Sequence, residues 1–414
     1  MSDSHDSGKV TTGSGKDAAV TSQAHAGLPT PSVTRRSRRR RGGSARGARG
    51  RRVILPAAVA GALTAALLAA PPAHANSYQC NVRFYYNFDG SSAWPSARVN
   101  DPSQQEYAAC FGAPAIARYN GGTVIAAHYQ TIVGSVWTYV NPDGAANWTV
   151  SDSYGGSWLA FGPPAMTSYG GGTELAVPVV DTLEYLWEPA GSTLQGPGIP
   201  ASSGISQNAP AIARNSTGTV IAATGRDNSL WFYWNADGSP AWGSHQVVGP
   251  AQVSGAPAIA TTGNSTEIAF IAPDASLWFY WNLNGTSTWW PEEVSGPGTV
   301  SGGVAMTHSY GGTQISAPGP GGSLMFFWNY DGTSTWHPEQ VAGPGSAQGA
   351  PAMVAGNYTE EIAVTATDGS LRYYYSYDGT TTWYGTLIAP PGSDSTSPAI
   401  TRSSAGTEIT VAGL

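Results

Sequence analysis

The side chains best suited to chemistry in this chain recur at fixed places instead of converging on one. Asp227, Asp274 and Asp368 each precede an x-Ser-Leu step, and Trp231, Trp278 and Arg372 follow that Leu. Glu267 and Glu361 mark a second recurring polar slot, shared with Glu174 and Glu408 and with Gln314 in place of an acid. Trp234, Trp281 and Trp328 add further indoles three residues beyond the first aromatic slot. Aromatic faces beside carboxylates are the chemistry of sugar recognition, because the axial C–H groups of a sugar ring pack on an indole while its hydroxyls need polar partners. A plainer reading competes at every slot. The Asp residues would cap their own turns, the Glu residues would be solvated strand positions with too few Arg to pair with, and the indoles would fill a core.

Catalytic signatures are absent. The sequence holds no G-x-S-x-G, no H-E-x-x-H, no phosphate-cradling Gly loop and no Cys/His cluster. His128, His245, His308 and His337 fall at places not equivalent to one another. No metal or cofactor is expected. A two-carboxylate hydrolase needs one acid pair in one cleft, and such a site, made once, should interrupt the repeat. The clearest interruption, residues 187–200, holds Glu188 as its only acid. The chain therefore reads as a non-enzyme.

These slots belong to a unit of about 47 residues. Pro114, Pro164, Pro210, Pro257, Pro351 and Pro398, with Val304 in the matching place, open seven copies. Trp94, Trp148, Trp242, Trp289, Trp336 and Trp383 close six, and the copy around Trp187 lacks its closing Trp. Within one copy the pattern predicts four strands: 210–213, 219–223, 229–235 and 242–248. Asp237-Gly238, Asn284-Gly285, Asp331-Gly332 and Asp378-Gly379 stand between the third and fourth strands, where a tight hairpin demands positive φ. Nothing in the repeats has helical periodicity.

Four-stranded units at this period predict an all-β, seven-bladed β-propeller of antiparallel blades. The first strand is the smallest, as a crowded axis requires, and the third is the bulkiest. Residues 79–87 align with 227–235, whereas the C-terminal stretch supplies only a first and a second strand. The closing blade is therefore expected to be shared between the two ends, which removes exposed sheet edges.

Residues 1–75 read as a leader to this domain, which spans 76–414. A Ser/Thr/Gly-rich stretch suited to disorder is followed by ten Arg within residues 35–52, an apolar run from Val53 to Leu68, and Ala73-His74-Ala75 as a cleavage pattern. Secretion is expected, by the Sec route or by twin-arginine export through Arg51-Arg52. Beyond the leader the chain keeps seven Arg, no Lys and 23 acidic residues, a formal charge of −16. That sign excludes nucleic acid and anionic membranes as natural partners. Cys80 and Cys110, the only cysteines, read as one disulfide in an oxidising compartment. Their repeat positions would pin the N-terminal strand beside the closure point.

The pattern A-P-A-I-A, G-T, D-x-S-L-W, D-G, W, V-x-G-P resembles the PLL-type and tectonin-like seven-bladed propeller lectins over the whole of 76–414. That resemblance implies multivalent glycan binding, of fucose or methylated sugars, in pockets between blades. The chain departs from the family in carrying Phe232 and Phe279 after Leu-Trp, where His is usual. It also has few Arg of the kind fucose-binding propellers use, apart from Arg83 and Arg372. The phrase N-x-D-G-T-S-T-W is also similar to the Asp-box of sialidase-type propellers, though its Asp-Gly spacing differs. A sialidase-like hydrolase and a protein-binding scaffold or adhesin are the alternatives.

Overall fold

The computed structural model describes residues 81–413 except 90, 100–108, 111, 120, 131–133, 144–146, 155–161, 190–191, 238, 310, 357 and 378–379. The expected leader, its export motif and Cys80 lie outside the described residues. Cys110 ends the short strand Ala109–Cys110. Among the described residues no helix is long and apolar enough to cross a membrane.

Seven antiparallel sheets form a seven-bladed β-propeller. Blade 3 is representative, with strands Ala211–Asn215, Gly218–Thr224, Leu230–Ala236 and Gly243–Val248 running outward in order. Blades 1, 2, 4, 5 and 6 begin at Ala115, Ala165, Ser254, Ala305 and Ala352. Blade 7 takes its inner strands, Ala399–Arg402 and Gly406–Gly413, from the C-terminus and its outer strands, Asn81–Phe88 and Ser96–Arg98, from the N-terminal side. The two halves pair from Asn81↔Gly413 to Phe88↔Gly406. Each innermost strand touches the next, and that of blade 7 touches that of blade 1. The ring is closed.

The core lies between the blades. Seven clusters of buried apolar side chains each straddle one blade interface, the 4/5 cluster for example joining Leu277 and Phe279 to Ile315 and Phe327. Strand alternation sends successive third-strand side chains to opposite interfaces, which makes both faces of every blade apolar. Each closing Trp stands on the aromatic residue two places after the third-strand aliphatic of the preceding blade. Trp242 meets Tyr185, Trp289 meets Phe232, Trp336 meets Phe279, Trp383 meets Phe326, Trp94 meets Tyr373 and Trp148 meets Phe84, with centroids 4.8–5.1 Å apart. Tilted and edge-on pairs of this kind add about 0.5–1.5 kcal/mol beyond the area they bury. The exception explains itself: blade 1 carries Thr138 at that place, and blade 2 is the blade without a closing Trp.

The glycine that opens a second strand has a steric reason. A Cβ on Gly218 or Gly406, both at positive φ, would strike the carbonyl oxygen of Asn235 or Asn87 in the neighbouring strand.

Candidate functional site

Each blade end presents different chemistry. The connection face carries the second-to-third loops and the links between blades. Here Asp227 Oδ1 accepts hydrogen bonds from Ser229 N at 3.1 Å and Ser229 Oγ at 2.5 Å, and Ser229 Oγ accepts the Trp231 indole N–H at 2.9 Å. Asp274, Ser276 and Trp278 repeat this with 3.1, 2.6 and 2.9 Å. Asp368 and Ser370 repeat it with Arg372 Nε as the last donor, at 3.1 Å. The serine hydroxyl bond holds all three carboxyls below their ordinary range. These Asp residues cap their own loops, and Trp231 and Trp278 are half-buried. Asp274 and Trp278 also line a cavity of about 340 Å³ with Gln252, Phe270 and Tyr280.

Glu267 and Glu361 lie at the other end of the strands, on the hairpin face, where the first-to-second and third-to-fourth turns meet. The eight sequence-named residues therefore form no single site. The structure also corrects the expectation that the glutamates are solvated and unpaired. Glu174, Glu267, Glu361 and Glu408 are buried, and each accepts a hydrogen bond from a threonine at the same slot of the next blade: Thr219, Thr313, Thr407 and Thr123. Three also meet an arginine of that blade. Arg214 gives one η nitrogen to Glu174 and Thr219, both at 2.8 Å, and the other to both oxygens of Asp237 at 2.5 and 2.7 Å. Arg118 joins Glu408 at 2.9 Å to Asp143 at 2.7 and 2.8 Å. Arg402 joins Glu361 to Asp89, with both Asp contacts at 2.7 Å. Charge-assisted hydrogen bonds of this kind are shorter and stronger than neutral ones. Burial still pushes the Glu408 carboxyl up, although Thr123 and Arg118 oppose it.

Several blade interfaces open as clefts at the hairpin face. Between blades 2 and 3 a cavity of about 550 Å³ is lined by Tyr169, Glu174, Tyr185, Trp187, Arg214 and Asp237, with the Arg214 guanidinium 3.6 Å over the Tyr169 ring. Between blades 3 and 4 one of about 450 Å³ is lined by Phe232, Trp234, His245, Asn282 and Trp289. Between 5 and 6 a smaller cleft of about 160 Å³ holds Trp328, Trp383 and Glu339. Glu339 there accepts both indole N–H groups, at 2.9 and 3.2 Å, and Glu292 does the same for Trp281 and Trp336 between blades 4 and 5. Among the described residues the large aromatics that are exposed, Phe88, Tyr169, Trp187, Trp234, Tyr330, Tyr358, Tyr377 and Tyr384, all sit at hairpin-face turns or strand ends. Trp234 lies flat over the outer strand because Gly243 beneath it has no Cβ to strike the indole.

The sequence patterns did not mark these arginines, and marked Asp237 only as a hairpin residue. A signal existed: Arg118, Arg214 and Arg402 all stand four places after the opening Pro; Arg214 and Arg402 follow a copy with Glu in the second strand, and ring closure sets Arg118 beside Glu408. Only a comparison of one copy with the next reveals it.

Fold and site together define the class: a seven-bladed β-propeller whose interblade clefts present aromatic rings beside carboxylates. No protein-family model matches the chain, and no curated protein matches it. Among solved structures, BP39L lectin from Burkholderia pseudomallei is similar with a TM-score of 0.60 at 18% identity, over 70% of this chain and 89% of that one. SapL1 lectin in complex with α-methyl fucoside gives 0.49 at 14% identity, over 68% and 97%. The Aleuria aurantia lectin, described as a six-bladed β-propeller with a novel fucose recognition mode, gives 0.48 at 16%, over 68% and 97%. The first of these bears out the fold.

Proposed function

We propose that the protein is a secreted, non-catalytic lectin that binds glycans at several hairpin-face clefts. The observation that carries this reading is the gathering of exposed rings at one end of the blades, next to clefts that repeat around the ring. An indole or phenol ring gives a sugar its apolar platform, and Arg214, Asp237 and His245 offer its hydroxyls donors and acceptors. The carboxylates recur and are tied to arginines or indoles, whereas a hydrolase needs one dedicated pair. The resemblance to PLL-type and tectonin-like lectins, and the likeness of fold to a bacterial lectin, support the same class. Fucose and methylated sugars are the first ligands to test. Shallow sites that are weak singly become strong together on a dense glycan surface.

The test is a glycan array followed by calorimetric titration of the best hit. Several molecules of one sugar per chain, lost in part on Trp234→Ala, support the reading. No hit at high protein density overturns it and leaves the hydrolase and scaffold alternatives, which release of sugar from a polysaccharide separates.

A further inference from the structure

The interface between blades 4 and 5 is built like the three arginine interfaces, with one difference. Glu267 takes the place of Glu174, Thr313 that of Thr219 and Asp331 that of Asp237, but the fourth place after Val304 is His308. Glu267 is 4% exposed and its Oε2 accepts Thr313 Oγ at 2.8 Å. His308 Nε2 faces Asp331 Oδ1 at 3.0 Å. At the sibling interfaces a guanidinium reaches both acids; among the described residues the shorter imidazole hydrogen-bonds to Asp331 and not to Glu267. One carboxylate oxygen from each acid and one imidazole nitrogen lie within 4.8 Å of one another.

Two observations converge. The ligand set is two carboxylates and one imidazole, gathered on three different strands and turns. Independently, the chain's own repeats place a positive charge at this point in each of the other three interfaces that carry the buried Glu. We propose that Glu267, His308 and Asp331 bind a divalent transition-metal ion of the zinc type in the position the siblings give to a guanidinium. This revises the expectation of no metal.

The ligand chemistry selects the ion. Zinc accepts mixed nitrogen and oxygen ligands at about 2.0–2.2 Å in tetrahedral geometry, leaving a fourth position for water. Calcium and magnesium prefer oxygen alone, so the imidazole disfavours them. Closing the ligand set requires a movement of roughly an ångström, from bond lengths of this size, and Asp331, whose side chain is 53% exposed, is free to supply it. On binding, the His308–Asp331 hydrogen bond is replaced by two bonds to the ion. A proton on Nε2 moves to Nδ1 or leaves to solvent, so the imidazole ligates in its neutral form.

The experiment is titration of the chelator-treated, purified protein with zinc chloride, read by calorimetry and by thermal melting, beside His308→Arg and Glu267→Gln. His308→Arg installs the siblings' own cation and is expected to fold. The expected result is one zinc ion per chain and a metal-dependent rise in Tm. Glu267→Gln should bind more than about tenfold more weakly, since even outer-shell changes have effects of this size. His308→Arg should show no zinc response, while melting without metal at or above the wild-type temperature. Magnesium should leave all three proteins unchanged. Absence of a zinc response in the wild type, or its survival in His308→Arg, overturns the proposal.

Discussion

Replacing Asp394 should make this protein more stable at neutral pH and leave it unchanged in acid. Asp394 lies in the link from blade 6 to blade 7, four places before Pro398, where sibling links carry Val253, Val300 and Ala347, all buried. It is 6% exposed, and neither carboxyl oxygen has a hydrogen-bond partner among the described residues. Burial pushes its pKa up to about 6, with Arg83 opposing. The folded state thus holds the proton more tightly than the unfolded state, whose carboxyl titrates at the ordinary value near 3.8. The penalty is absent below that value, grows as pH rises towards 6, and is complete above it. At about 1.4 kcal/mol per tenfold change in acidity, Asp394→Asn should gain about 2–3 kcal/mol at pH 7.5 and nothing near pH 4. Urea denaturation of both proteins across that range measures the difference. A difference that stays constant with pH, or a variant less stable than wild type at pH 7.5, would refute the reasoning.

The arginine clefts predict that Arg214→Ala destabilises by about 3–5 kcal/mol by leaving Glu174 buried without its cation. Glu174→Val combined with Arg214→Thr copies the Val220 and Thr261 pair at the next interface and should recover most of that loss in chemical denaturation. Trp336→Ala removes the edge contact with Phe279 and a hydrogen bond to Glu292, and a loss of about 3 kcal/mol is expected. Trp234→Ala, at a ring already 41% exposed, should change stability by less than about 1 kcal/mol while removing one sugar from the titrated stoichiometry. If Cys80 and Cys110 are bridged as proposed, reduction should accelerate hydrogen exchange first in Asn81–Phe88; uniform acceleration over all blades would count against that placement.

The blades, their strand order and the shared closing blade were legible in the sequence, because each follows from local pattern repeated seven times. Asp237-Gly238 marks a hairpin wherever it stands, and Phe84 announces the same strand as Phe232. The charge network was not legible in the same way. Glu174 and Arg214 belong to different copies, so a single copy shows an acid on a strand and, elsewhere, a lone arginine. The separation of Asp227 from Glu267 onto opposite faces was equally hidden. Both slots recur with the same period, and period alone does not say which end of a strand a side chain occupies. Nor does alternation distinguish Phe232, which is buried, from Trp234, which shares its face but reaches the rim.

Taken round the ring, interfaces with the buried Glu and a cation or imidazole alternate with interfaces that lack them: 2/3, 4/5 and 6/7 have them, and 1/2, 3/4 and 5/6 do not. Seven is odd, so a two-colour pattern cannot close on itself, and somewhere two interfaces of one colour must be neighbours. The doubled colour falls at 6/7 and 7/1, on either side of the blade assembled from both ends of the chain. Arg402, near the C-terminus, holds Asp89, 313 residues earlier, and Glu408 holds Arg118. The parity defect thus serves as a clasp, and a relative with six or eight such blades could alternate perfectly only by giving up one of its two hooks.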